Sequence, residues 1–398
     1  MYRPLYRQFV PITLLPKRLY VALFVPKSHF SQMPAFPSCH VTIALLFVLE
    51  SPRVAVIYSR RFIIKACLWG RGSPDMTLVA VDIGGTNVRF AMVQDDGELT
   101  GHRSMLCGDF PSFEAAMQAY AAALEIVPSA ASIAVAGPVQ GDLVEVTNNH
   151  WSFSKTGLVA ALGLNQLQII NDFTAQALAQ ADPSAHGNML LIDGDGTEQA
   201  PLLVIGPGTG LGVSALVPAG GNYLPLEGEG GHVGLSPQSA AELAVFTALQ
   251  QGVPHVSAEH FISGSGLETI YRLQNDGAAM AAPQIGAGAV AGPGPERDAA
   301  NMMLGLLGSV VADAVLTMGC WRGVVIAGGI VAQLQPLVAD SPFQARFRHD
   351  GMMSPLLQQI PVWLSFDPHA GLRGAAAGFA NPHMANRIIC PDEPSAAV

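Results

Sequence analysis

Residues 77–93 read TLVAVDIGGTNVRFAMV, and the fold turns on how this stretch is read. Apolar residues crowd both sides of the Gly84-Gly85 pair. The pattern predicts a strand, a tight glycine turn and a second strand, with DDGE at 95–98 as the next turn. Working outward, SFEAAMQAYAAALEIV (112–127) sets Phe113, Met117, Tyr120, Leu124 and Val127 at helical spacing behind Ser112 as N-cap. ASIAVAGPV (131–139) is a further buried strand ending in Gly-Pro, LQII (167–170) another, and AQALAQA (175–181) a helix. A succession βββαβαβα predicts an α/β domain.

A break is expected at DPSAHGN (182–188), after which a second set begins. NMLLID (188–193) and APLLVIGPGTGLGVSALV (200–217) read as strands around a glycine turn. NMMLGLLGSVVADAVLTMG (301–319) reads as a long apolar helix before the strand GVVIAGGI (323–330). Strand, Gly-Thr-Gly-type turn, strand thus occurs at 77–93 and again at 201–217. Two α/β halves of one plan, facing a cleft, would produce that echo. The segment 276–296, rich in Ala and Gly, has no clear assignment, and DGDGTE (193–198) is read as a turn because Glu198 stands where a calcium loop needs glycine.

The 398 residues are 50% hydrophobic and 13% charged, enough to bury a large core. Charge is unevenly divided. Residues 1–75 carry ten Lys and Arg and only two acids, Glu50 and Asp75, leaving ten Lys and Arg against 28 acids in residues 76–398. So acidic a body argues against nucleic acid as a partner, because it cannot neutralise phosphates along a duplex. The longest apolar run of the first segment, Ile43–Leu49, is too short for a bilayer, and no membrane association is expected. Residues 1–75 read as an extension foreign to the rest, either a basic arm or the product of a start codon placed upstream of Met76. Five scattered cysteines (39, 67, 107, 320, 390) without a C-x-x-C argue against a disulfide scaffold or structural zinc and suit the cytoplasm.

Three stretches carry chemistry. DIGGTN (82–87) and GPGTGLG (206–212) each lie between two strands. Glycines there let backbone N–H groups turn toward an anion, and Thr86 and Thr209 add hydroxyl donors. Neither loop is a Walker or a dinucleotide fingerprint, and either one alone could be an ordinary hairpin. Pro207 has no N–H to donate. Asp82, at the strand end, is placed to hold Mg²⁺ through water. Asn171 and Asp172 follow a buried strand directly. They are either the cap of the next helix or a pair that orients a hydroxyl and takes its proton. Glu229, His232 and Glu259 add acceptors and a donor of the kind a polyol pocket needs. Each also has a plain structural reading, as a loop, core or helix residue. Trp151 in TNNHWSFS (147–154) is read as packing.

DIGGTNVRFAMV, NDF (171–173), GPGTGLG, EGEGGHVGLSP (227–237), HVSAEHFISGSGL (255–267) and VVIAGGI occur in that order. Together they resemble bacterial glucokinases of the hexokinase and actin-like ATPase superfamily, the type without a zinc-binding cysteine cluster, over about residues 77–380. The resemblance implies two ribonuclease-H-like α/β domains facing a cleft. The small domain would be 77–182, completed by about 367–398, and the large domain 183–366. It implies ATP-dependent phosphorylation of glucose at the 6-hydroxyl in the cytoplasm, by a homodimer. Asp172 is then the catalytic base, and Asn171, Glu229, His232 and Glu259 bind the sugar. Val81, Asp82, Ile83, Gly84, Gly85 and Thr86, with Gly208, Thr209 and Gly210, hold ATP and Mg²⁺. Gly328 and Gly329 lie against the adenosine. The alternatives within this resemblance are a kinase for another hexose and a sugar-sensing regulator without turnover.

Overall fold

The computed structural model describes residues 76–391 throughout, together with the backbone of four earlier strands. Those strands, Phe9–Leu14, Lys17–Phe24, Thr42–Leu46 and Ile57–Ser59, pair antiparallel in chain order and belong to a separate unit, Met1–Pro74. The rest of the extension reading lies outside the described residues.

In the second unit, β1 (Leu78–Ile83) is buried almost along its whole length, so both faces of its sheet must be covered. The glycine turn returns it antiparallel as β2 (Asn87–Val93), and β3 (Leu99–Leu106) continues the meander. Helix α1 (Phe113–Ala123) leads to β4 (Ala130–Val135), which pairs parallel to β1. A small ribbon, Leu143–Glu145 with Ser152–Ser154, precedes α2 (Lys155–Leu162). Strand β5 (Gln166–Asn171) pairs parallel to β4 and runs directly into α3 (Asp172–Ala179).

A second sheet follows. It uses β6 (Met189–Ile192), β7 (Leu202–Pro207), β8 (Leu211–Ala219) and β9 (Asn222–Gly228). Four helices come next: α4 (Ala240–Gln250), α5 (Gly264–Gln274), α6 (Ala282–Ala291) and α7 (Pro295–Met318). After them come β10 (Gly323–Ile326), β11 (Val362–Leu364), α8 (Ala370–Ala380) and β12 (Ile388–Ile389). The first sheet has the order β12-β5-β4-β1-β2-β3 and the second β6-β11-β10-β7-β8-β9. Each has three parallel strands, an antiparallel meander on one side and an antiparallel edge strand on the other. The echo between 77–93 and 201–217 is therefore β1-β2 and β7-β8, the same position in two sheets.

Side-chain size alternates across the first sheet. Val79, Val81 and Ile83 face the large residues Phe90, Phe113, Met117 and Tyr120 under α1. Ala80, Ala91 and Ala134 face the other way, onto alanines of α3 and α8. Small residues let helices lie close, and Gly374 of α8 sits so tightly on the backbone of Ala175 that a methyl group would overlap it. That same core reaches Leu202, Val204, Leu216 and Val325 of the second sheet, so α3 and α8 fill the space between the sheets. On the far side of the second sheet α7 is the central core helix, packed on α5 and α6. Among the described residues it alone is long and apolar enough to cross a membrane, and most of that window is buried here.

Two expectations change. Helix α1 ends at Ala123, not at Val127. Glu125 takes a left-handed φ of 54° ahead of Pro128, which turns the chain out and leaves Val127 85% exposed. The unassigned stretch 276–296 contains α6, whose Ile285, Gly286 and Ala289 are buried. Its helix signal was hidden because small residues, not a charged amphipathic pattern, let it lie close to its neighbours.

Candidate active site

The two glycine turns, the start of α3 and the segment after β9 open onto one cleft of about 1600 Å³. Asp82, Gly84, Gly85, Thr86, Asn171, Asp172, Gly208, Thr209, Gly210, Glu229, His232, Glu259, Gly328 and Gly329 all line it. Val81 and Ile83 do not. Both are fully buried in β1, where they anchor the strand that ends in the first turn.

Asn171 resolves half of the cap question. Its Oδ1 accepts from the N–H groups of Phe173 (2.8 Å) and Thr174 (3.2 Å), so Asn171, not Asp172, caps α3. Its Nδ2 donates to the Gly137 carbonyl at 3.3 Å, which leaves one amide N–H for a ligand. Asp172 is the first residue of the helix, and its Oδ1 also meets the Phe173 N–H at 2.8 Å. Burial pushes its carboxyl up to about 6, against the lowering by that N–H. The charges of Asp82 and Glu229 raise it further. Carboxylates gathered near one another hold on to a proton more tightly.

Asp82 faces Arg89 across the β1–β2 ladder, and Arg89 Nη1 meets its Oδ2 at 2.9 Å. Burial raises the Asp82 carboxyl even so, with Arg89 opposing. The first turn is braced from outside. Gly84 N–H bonds the Asn87 carbonyl, Asn149 Nδ2 donates to the Gly84 carbonyl at 3.2 Å, and Gly85 packs on Asn148. TNNHWSFS is therefore the support of this turn. Trp151 is buried and donates to the Phe110 carbonyl at 3.3 Å, a packing residue as expected.

The second turn is tighter than its glycines suggested. Gly206 and Gly212 are ladder partners inside β7 and β8, so only 208–210 form the tip. Glu259 occupies the space beside Gly210 and accepts the Leu211 N–H through Oε2 at 2.8 Å. His232 Nδ1 stands 4.0 Å from Glu259 Oε1. Glu229 precedes the short turn Gly230–His232, and a side chain at Gly231 would run into the Leu211 carbonyl. Gly328 needs a φ of 105° and lies against the Pro207 carbonyl, which brings the turn after β10 onto the second loop.

Residue patterns missed Arg89, His102, Arg103 and His369, which also line the cleft. Arg89 was countable, because it pairs with Asp82 once the hairpin loop is placed at 84–87, between the partners Ile83 and Val88. His102 stacks on His369 with centroids 4.3 Å apart, a contact between residues 267 positions apart that no local pattern could disclose. For Mg²⁺ the donors fit an ion carried in by a nucleotide. Asp82 offers a carboxylate in the cleft, and among the described residues no group of three or more His, Cys, Asp or Glu could hold a metal alone.

Two sheets of this shared order, enclosing a cleft with paired glycine turns, define the duplicated ribonuclease-H-like fold of the actin-like ATPases. The glucokinase family profile matches residues 78–382. A glucokinase of Chromobacterium violaceum is 40% identical over 315 residues, 77% of this chain and 90% of that protein. One of Aromatoleum aromaticum is also 40% identical, over 75% of this chain and 93% of that protein. A crystal structure of a glucokinase from an Antarctic psychrotroph superposes with a TM-score of 0.69 at 32% identity, covering 76% of this chain and 98% of that one. The chain belongs to the glucokinase family.

Proposed function

We propose that this enzyme transfers the γ-phosphoryl group of ATP to the 6-hydroxyl of glucose, giving ADP and glucose 6-phosphate. The observation that carries the reading is Asp172, a half-buried carboxylate with its pKa pushed to about 6, in the same cleft as two phosphate-type turns and three side chains suited to a polyol.

Asp172 accepts the 6-hydroxyl proton. That oxygen forms its bond to the γ-phosphorus while the bond to the β,γ-bridging oxygen breaks, and ADP leaves. Asn171, Glu229, His232 and Glu259 hold the remaining hydroxyls. A carboxylate accepts from two neighbouring hydroxyls, and the free Asn171 N–H donates. The tips of both turns, Gly84–Thr86 and Gly208–Gly210, offer N–H and hydroxyl donors to the phosphates, and Gly328 and Gly329 give the adenosine room. Asp82 would hold Mg²⁺ through water, and the ion would supply neutralising charge for the phosphates. In phosphoryl transfer of this kind, positioning and electrostatics supply most of the acceleration. We assign residues 77–182 with about 367–391 to one lobe and 183–366 to the other, and place the enzyme in the cytoplasm. A chain starting at Met76 is then sufficient for activity.

The test is a coupled assay of purified protein with ATP against a panel of hexoses. Glucose should be the preferred acceptor, and its 4-epimer galactose should be slower by about 10⁴ in kcat/KM, because an inverted hydroxyl leaves a carboxylate unpaired. Absence of turnover with every hexose, or equal use of galactose, overturns the reading.

A further inference from the structure

The second glycine turn contains a joint unrelated to phosphate. Gly206 and Gly212 face each other across β7 and β8, and neither has a positive φ. What they have in common is the ring of Phe173. A methyl group on Gly206 would lie 2.7 Å from Phe173 Cε2, and one on Gly212 would overlap Cδ2 and Cγ of the same ring. Phe173 therefore sits in a slot made by two missing side chains. It is also the residue directly after Asp172, and its N–H is held by both Asn171 Oδ1 and Asp172 Oδ1 at 2.8 Å. One residue is thus tied through its backbone to the carboxylate of the first half, and through its ring to the root of a hairpin in the second half. The tip of that hairpin, Gly208–Gly210, lines the cleft that Asp172 also lines.

We propose that Phe173 is a positioning residue that sets Asp172 in register with the phosphate-binding tip of the β7–β8 hairpin. The proposal rests on the role given to Asp172 above. In-line transfer needs the hydroxyl oxygen and the γ-phosphorus within near-attack distance, and a displacement of about 1 Å can cost roughly 10²-fold in rate. A ring keyed between two glycines has one seat, so hairpin and base move together.

The test uses the whole chain and four variants: Phe173→Ala, Gly212→Ala, the double variant, and Asp172→Asn. Glucose binding stoichiometry counts folded sites, so kcat is read per competent site. Phe173→Ala should lower kcat by roughly 10- to 100-fold while KM for glucose and for ATP stays within about threefold, the mark of lost alignment and not lost binding. Gly212→Ala keeps the aromatic ring but pushes it from its slot, and should give a loss of similar size. In the double variant the added methyl has room, so its loss should be smaller than the product of the two single losses. A merely structural Phe173 would lower the melting temperature and the number of competent sites but leave kcat per site unchanged, and that result overturns the proposal. Multiplicative losses in the double variant also overturn it. If Phe173→Ala does not fold, Gly212→Ala decides alone: an unchanged kcat is fatal. Retained turnover in Asp172→Asn overturns the base assignment and this proposal with it. A dead Asp172→Asn beside fully active Phe173 and Gly212 variants sinks only the positioning role.

Discussion

Asp172 carries a charge where the surroundings disfavour charge, and that conflict makes two measurable consequences. A base with its pKa pushed up to about 6 is ionised at neutral pH yet attracts a proton better than an ordinary carboxylate at 3.8. Below about pH 6, kcat/KM should fall with a slope of one, because the protonated acid cannot accept. A flat profile from pH 5 to 7.5 would argue that some other group takes the proton. The stability consequence has the opposite sense to a salt-bridged acid. The folded state binds the Asp172 proton more tightly than the unfolded chain does. Below pH 3.8 both states hold it and there is no penalty. Above about 6 both are ionised and the folded state bears the full cost, about 3 kcal/mol from the difference between those two values. Asp172→Asn should therefore lose roughly 10²- to 10⁴-fold in kcat, yet melt higher than the parent at pH 7.5, with the gain shrinking toward pH 4. The pairing of an amide and an acid after a strand was legible in the sequence, but the division of labour was not. Which of the two caps the helix depends on side-chain rotamers, and the raised pKa depends first on burial and then on the charges of Asp82 and Glu229, all of which arise only in the fold.

At the scale of the element, glycines were legible as turns but not as contacts. The hairpin pattern at 77–93 and at 201–217 follows from alternating apolar runs around Gly. The reasons for Gly206, Gly210, Gly212, Gly231 and Gly328 lie in residues far away: Phe173, Glu259, Leu211 and Pro207. Sequence reading assigned Gly208, Thr209 and Gly210 to the nucleotide, and that tip lines the cleft, but it gave Gly206 and Gly212 no role of their own. Gly328 offers the cleanest case to measure. It combines a φ of 105° with a carbonyl of Pro207 where its side chain would be. Gly328→Ala must shift the turn after β10 away from β7 or adopt strained backbone, at a cost on the order of 1–3 kcal/mol. Since this turn is assigned to the adenosine and not to the sugar, KM for ATP should rise several-fold with glucose KM nearly constant. An equal rise in both, or in neither, would remove Gly328 from the nucleotide side of the cleft.

For the whole molecule, the informative part is the layer between the two sheets. Helix α3 carries Asn171, Asp172 and Phe173 at its start, and α8 crosses it. The alanines of this layer were visible as a composition, but nothing local marks where two helices will cross, so the crossing could not be read from sequence. Two glycines of α8 allow a controlled experiment. Gly374 lies on the backbone of Ala175 with no room for a methyl group, whereas a methyl group on Gly378 would meet the side chains of Gln168, Ile170 and Leu178 at 3.1–3.3 Å. Side chains can give way by a few tenths of an ångström, and a packed helix backbone cannot. Replacing either glycine by alanine gains the same helix propensity, about 1 kcal/mol, so the difference between the two variants isolates the packing. Gly378→Ala should be close to neutral in melting temperature. Gly374→Ala should overpack the crossing, at a cost of about 1–3 kcal/mol or more, and melt several degrees lower. It should also lower kcat, because admitting the methyl group forces α3 and α8 apart and so disturbs the helix that begins at Asp172. Thermal melts followed by circular dichroism, with kcat measured on the same preparations, decide the matter. Equal melting temperatures would show that α3 and α8 are free to part, and a destabilised Gly374→Ala with unchanged kcat would show that the base does not depend on where this crossing holds it.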